Sequence, residues 1–121
     1  MEKSKLWPQV GRFKTGSGKT RVNVIYLKTP ASVTAYYYGG KNHLGALTAG
    51  VHVNSHAYHR TYCRPGHHDD LVTKKAEKIL CKNLKGLVVT GAGIHYEKAT
   101  PSEIKAIVKN AEHLSRRVAS L

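Results

Sequence analysis

The apolar residues of this chain change their spacing near Asp69, and that change decides what the chain can fold into. Before it, the pattern has the two-residue period of strands; after it, two segments carry the 3.6-residue period of helices. Arg21-Val-Asn-Val-Ile-Tyr-Leu27 alternates polar and apolar side chains between two turn-like stretches, Gly16-Ser-Gly-Lys19 and Thr29-Pro-Ala-Ser32. Val33-Thr-Ala-Tyr-Tyr-Tyr38 is dense in β-formers. Leu6 to Lys14 is a weaker strand whose start Pro8 confines to an edge. Gly39-Gly40-Lys41-Asn42 then turns the chain into a strand from Leu44 to Val53. Connections this short predict antiparallel hairpins. Asn54 to Gly66 has no sustained period and reads as a loop or an edge extension.

Beyond Asp69, Val72, Ala76, Ile79, Leu80 and Leu84 fall at helical spacing. Asp69 or Asp70 is placed to accept from first-turn amides, Lys82 and Lys85 suit the negative end, and Gly86 closes the helix. Leu87-Val-Val-Thr90 is a short buried strand running into Gly91-Ala-Gly-Ile-His95. Thr100-Pro-Ser-Glu103 is a capping box with proline at the first helical position. Ile104, Ile107, Val108, Ala111, Leu114 and Val118 follow on one face. The predicted class is α+β: a mainly antiparallel sheet with two α-helices packed on one face. A chain of 121 residues can bury one ordinary core, so a single domain over residues 1–121 is expected.

Charge narrows the partners. Twenty Lys and Arg stand against seven Asp and Glu, a net charge of +13. From Lys3 to His68 there are ten basic residues and no acid; six of the seven acids lie at or after Asp69. Such a field attracts polyanions, from nucleic acid to a phosphorylated cofactor. No apolar run approaches the roughly 20 residues of a membrane helix, and no apolar stretch follows Met1-Glu2-Lys3-Ser4-Lys5, so neither a membrane partner nor a secretory leader is expected. Two cysteines, Cys63 and Cys81, suit a reduced, cytoplasmic chain.

Several motifs invite chemistry. Gly16-Ser-Gly-Lys-Thr20 is not a phosphate loop, because the required earlier glycine would be residue 13, which is Phe13, and a strand follows rather than a helix. His52, His56, His59, Cys63, His67 and His68 lie within 17 residues and offer metal-ligand chemistry. None of their spacings matches a known zinc motif, so the stretch reads as a polar loop and no metal is assigned. Tyr36-Tyr37-Tyr38 beside Lys41 could stack bases, yet on a strand Tyr37 faces away from its neighbours, and no nucleic-acid signature accompanies them. Gly66-His67-His68-Asp69 opens a helix, where amides and dipole favour an anion, with Arg64 two residues upstream as a phosphate donor. A small enzyme would use His43, His67 or His95 with Asp69 or Asp70 as acid and base. Carboxylates are scarce, no nucleophile–base pair is readable, and no catalytic residue is assigned.

Three stretches in order carry a resemblance: Gly39-Gly-Lys-Asn-His-Leu-Gly-Ala46, Pro65-Gly-His-His-Asp-Asp-Leu71, and Ala92-Gly-Ile-His-Tyr-Glu-Lys-Ala-Thr-Pro-Ser-Glu-Ile104. Together they resemble the small D subunit of gallate decarboxylase, the prenylated-flavin chaperone family, over roughly Tyr36 to Leu114. The resemblance implies a proteasome-assembly-chaperone-like fold that pairs into dimers. It implies a non-enzymatic role: binding prenylated flavin mononucleotide and helping mature a flavin-dependent aromatic-acid decarboxylase. Under it, Gly39, Gly40, Gly45 and Gly93 let backbone approach a planar ligand, while His43, His67, His95 and Asp70 offer polar contacts. Arg64 and the amides after Gly66 would take the flavin phosphate, and Tyr37 or Tyr38 would cover the ring. The basic N-terminal third and the His- and Tyr-rich Val51 to Tyr62 region depart from the pattern. Two rivals remain: a basic nucleic-acid binder, and the small enzyme with histidine acid–base chemistry.

Burial arithmetic adds a homodimer. Val22, Val24 and Tyr26 alternate with Asn23, Ile25 and Leu27, so both sheet faces carry apolar side chains while two helices cover only one.

Overall fold

A computed structural model describes residues 6–41, 43–66 and 68–121. The strands are β1 (Gln9–Thr15), β2 (Val22–Lys28), β3 (Val33–Gly40), β4 (Ala46–Val53), β5 (His56–Cys63) and β6 (Leu87–His95); the helices are α1 (Asp70–Cys81) and α2 (Pro101–Ala119). They build one six-stranded sheet in the order β1-β2-β3-β6-β4-β5. Every pairing is antiparallel except β3 with β6.

The expected alternation is realised. Val22, Val24 and Tyr26 of β2 and Val33, Ala35 and Tyr37 of β3 are buried against the helices, with Val88 and Ala92 of β6. Ile107, Ala111, Leu114 and Val118 of α2 and Val72, Ala76 and Leu80 of α1 close the core from the other side. A buried side chain of this size contributes about 1.5–3 kcal/mol, so the helices are held by this face rather than by propensity. The Thr100 cap forms as predicted: the Glu103 amide donates to Thr100 Oγ1 at 3.2 Å, and the Thr100 amide donates to Glu103 Oε1 at 2.9 Å. The Thr100 amide, with the Thr100 side chain, holds the exposed Glu103 carboxyl below its ordinary value by hydrogen bonding to it.

Three expectations change and one open choice is decided. The hairpin between β3 and β4 is absent, because β6 inserts between them, parallel to β3 and antiparallel to β4. Small or apolar residues on both faces of β6 (Val88, Thr90 and Ala92; Val89, Gly91 and Gly93) suit that central position. Of the two readings of Asn54 to Gly66, loop or edge extension, the second is realised: His56–Cys63 is a strand, and it forms one edge of the sheet. Helix α1 ends at Cys81, before Gly86; a Cβ at Gly86 would overlap the Ala31 carbonyl, so close packing, not a helix cap, requires that glycine. Asp69 precedes α1 but caps no first-turn amide. Its Oδ1 accepts from the Ile94 amide at 3.0 Å, tying the start of α1 to β6.

The face of the sheet away from the helices carries Val10, Leu27, Tyr58, Tyr62 and Leu87, all exposed. Tyr36 and Tyr38 stack on it with ring centroids 5.8 Å apart. Among the described residues no helix is long and apolar enough to cross a membrane.

Candidate functional site

The end of the sheet at the C-termini of β3 and β6 lies beside the N-termini of both helices. In open α/β sheets, ligands collect at such strand ends; here the space between them is a cavity of about 500 Å³. Its apolar wall is Leu71 and Val72 from α1, Ile94 from β6, and Ile104, Ile107 and Val108 from α2. Two of these, Ile104 and Val108, belong to the helical stripe that the periodicity assigns to the core. In the fold Ile104 is 45% exposed because it faces the cavity rather than the sheet.

The polar lining is His43, His68, Asp69, His95, Tyr96 and Lys98, with Gly66 at the rim. Local packing holds these groups in place. The Lys41 amide donates to the His95 carbonyl at 3.0 Å, and the Gly45 amide to the Ala92 carbonyl at 2.8 Å, so the segment bearing His43 lies along the end of β6. A Cβ at Gly93 would overlap the His43 carbonyl, and one at Gly40, where φ is +63°, would overlap the His95 carbonyl. These two glycines therefore bring the backbones together. Tyr96 donates to the Arg21 carbonyl at 2.6 Å. Desolvation is the main cause that raises its phenol above the ordinary value. Asp69 is 8% exposed and fixed by the Ile94 amide.

Of the residues singled out from sequence, His43, Gly66 and His95 meet at this cavity. Gly40 and Gly93 hold the backbone behind it, Gly39 packs under Tyr96 and the Arg21 carbonyl, and Gly45 lines a separate shallow groove. His67 lies outside the described residues. Three further assignments are not brought together with the rest. Arg64 lines the same groove as Gly45, with Leu44 and Tyr62. Asp70 pairs with Lys74 at 3.1 Å, and it is the neighbouring Asp69 that reaches the cavity. The amides after Gly66 are partly taken, since Leu71 donates to the His68 carbonyl and Val72 to the Asp69 carbonyl. Tyr37 cannot cover a ligand ring because it is fully buried in the core, and Tyr38 lies on the helix-free face.

Sequence reasoning missed Tyr96, Lys98 and the apolar wall, and placed His68 only within the anion-binding stretch Gly66 to Asp69 and among the metal-ligand candidates. Lys98 had a signal: it sits between β6 and the capping box, in a segment that must turn sharply, and its φ is +55°. Chemically the cavity pairs an apolar side with a polar rim of imidazoles and one ammonium, beside a single carboxylate. That combination suits a flat, largely apolar ligand with an anionic tail; its size is within the range of small-molecule sites.

Comparison with known proteins bears on the family and the fold. The family model described as "Prenylated flavin chaperone LpdD-like domain" matches residues 16–121. A solved structure of a yeast chaperone complex for 20S proteasome assembly is similar in fold, with a TM-score of 0.58 at 9% identity, covering 95% of this chain and 94% of that one. No curated protein sequence matches the chain.

Proposed function

This chain belongs to the prenylated flavin chaperone LpdD-like family, and on that premise we propose that it holds prenylated flavin mononucleotide in the cavity and passes it to a flavin-dependent decarboxylase. One observation carries the reading. The three sequence stretches that bear the resemblance lie far apart in the chain, and each contributes to this one cavity: His43 from the first, Gly66, His68, Asp69 and Leu71 from the second, Ile94, His95, Lys98 and Ile104 from the third. In this reading Leu71, Ile94, Ile104 and Val108 receive the ring system and prenyl carbons. Lys98, His68 and His95 face the phosphate, where charge-assisted bonds are the strong ones. Bound there, the flavin is cargo whose chemistry belongs to the recipient enzyme. The chain itself binds, orients and shields it.

The same reading makes the chain a homodimer through the helix-free face. Leu27 is 43% exposed, Leu87 53%, Tyr58 59% and Tyr62 67%, and a second copy of the chain docked on this face would cover them.

The test is a titration of flavin mononucleotide, its prenylated form and a short RNA at physiological salt. The prenylated form should bind best. Ala99→Trp, which puts an indole in the cavity that Ala99 lines, should abolish binding, and Lys98→Ala should weaken it roughly ten-fold, the loss of about one charge-assisted bond. RNA binding that survives added salt, with no flavin signal, would replace this reading by nucleic-acid binding on the tyrosine-bearing face. RNA binding that collapses with salt would be the generic basic surface.

A further inference from the structure

The histidine-rich stretch holds a second site, remote in kind from the cavity. His52 on β4 and His59 on β5 both face the helix side of the sheet, since His59 pairs with Gly50, two residues before His52. Their rings meet edge to face, 89° apart, with centroids separated by 5.7 Å. Above them, α1 lowers Glu77, a carboxylate that is only 2% exposed. A Cβ at Gly50 would overlap that carboxylate, so the glycine opens the space in which the acid sits on the sheet. Glu77 Oε2 lies 2.9 Å from His59 Nδ1. Its other oxygen, Oε1, accepts from the Cys81 thiol at 2.9 Å, which orients the carboxylate toward the imidazoles.

Hydrogen bonding accounts for Glu77 and His59 but not for His52. The His52 Nε2 atom is buried and has no hydrogen-bond partner. A buried polar atom left unpaired is costly, and a metal ion would satisfy it. His52, His59 and Glu77 each offer a ligand atom, and the three atoms lie within 4.8 Å of one another. Tetrahedral zinc holds nitrogen and oxygen ligands at about 2.0–2.2 Å, so neighbouring ligands stand roughly 3.3–3.5 Å apart. The set needs to close by roughly 1 Å to meet that geometry. His59, on an edge strand with 41% of its side chain exposed, is free to make that movement.

We propose that His52, His59 and Glu77 form a binding site for one zinc-class divalent ion. Two imidazoles and one carboxylate suit zinc and its borderline neighbours; calcium and magnesium call for more oxygen ligands. The ion would take the place of the proton shared by His59 Nδ1 and Glu77 Oε2, releasing that proton to solvent. A groove lined by Thr48, Thr61, Lys74 and Lys78 leaves its remaining position open. Three ligands from β4, β5 and α1 would fasten the edge strand to the helix. His56, Cys63 and His68 lie outside this set, and Glu77, absent from any sequence motif, supplies the third ligand.

The test uses the full chain without an affinity tag, stripped by chelator and titrated with zinc chloride and with cobalt chloride. One ion per chain should bind, cobalt should show the visible absorption of a four- or five-coordinate site, and the melting temperature should rise by at least about 5 °C at a hundred-fold excess over Kd. His52→Ala, His59→Ala and Glu77→Gln should each weaken binding ten-fold or more, while His56→Ala and His113→Ala leave it unchanged. Because Glu77→Gln alters a buried group on which folding also depends, His52→Ala, at a half-buried strand position, is the deciding variant. Undiminished affinity in His52→Ala would overturn the site. So would the absence of saturable one-to-one binding, or loss with His56→Ala instead.

Discussion

Removing the hydroxyl of Tyr37 tests how α2 is fixed to the sheet. Tyr37 and Ser115 are both fully buried, and their hydroxyls are hydrogen-bonded. Ser115 Oγ also donates to the Ala111 carbonyl at 2.8 Å. A serine has one proton to give, so Tyr37 must be the donor in the pair. Tyr37→Phe therefore removes one buried bond and strands no donor, a loss of about 1 kcal/mol. Ser115→Ala is worse. It leaves the tyrosine proton without an acceptor in the core, at a cost of about 1–3 kcal/mol. In the double variant the stranded proton is gone, so it should be no less stable than Ser115→Ala alone, and a coupling of about 1–2 kcal/mol should appear. Against a total stability of roughly 6–18 kcal/mol for a chain of this length, that is readily measured. Urea unfolding should show shifted midpoints with unchanged slopes. Flavin affinity should not move, because Ser115 lies about two turns beyond Val108, the last cavity residue of α2. Single effects that add to within about 0.5 kcal/mol would refute the assigned donor and the pair with it.

Lys28 is 7% exposed and its ammonium donates to the carbonyls of Val118 and Ala119, at 3.0 Å each, and to a main-chain oxygen of Leu121 at 3.1 Å. Lys28→Met, which keeps the stem but uncaps the negative end of α2, should cost about 2–4 kcal/mol in urea unfolding; under about 0.5 kcal/mol would mean that water serves those carbonyls equally well. At alkaline pH, burial is the leading cause that raises the phenols of Tyr37, Tyr36 and Tyr96 above the ordinary 10.0. Their stabilisation is fully present below pH 10.0 and is lost as pH rises through the raised values, because the unfolded chain sheds these protons first. Urea midpoints should fall above that pH, and less steeply in Tyr37→Phe; midpoints that stay level would contradict it. On the helix-free face, Leu27→Asp should halve the mass seen by light scattering without changing helical content, whereas a wild type already near 13.3 kDa would remove the dimer.

Local signals carried much of this fold into the sequence. The capping box at Thr100, the alternation around Tyr37 and the stripe on α2 depend on neighbours within a few residues, and all are realised. What failed was non-local. Nothing near Gly39 announces that β6, about fifty residues later, will wedge between β3 and β4. Periodicity cannot separate a core residue from a cavity wall either, which is why Ile104 and Val108 read as core. The site was half legible for the same reason: the motifs hold His43, Gly66 and His95, whose residue types announce a site, whereas Leu71 and Lys98 in the same motifs matter only because two helix starts converge on one strand end. Lys28 and Glu77, both buried, are ordinary surface residues on paper. Their partners, the end of α2 and the imidazoles of β4 and β5, come from other elements.

The central claim is that the cavity between the two helix starts carries prenylated flavin. The most direct measurement is native mass spectrometry of the chain purified from cells that also make a flavin prenyltransferase, beside the same preparation of Ala99→Trp. The account predicts a dimer carrying the mass of prenylated flavin mononucleotide in the wild type, and the same dimer without that mass in the variant. A wild type that never carries the flavin, or an Ala99→Trp protein that carries it equally well, would contradict the claim.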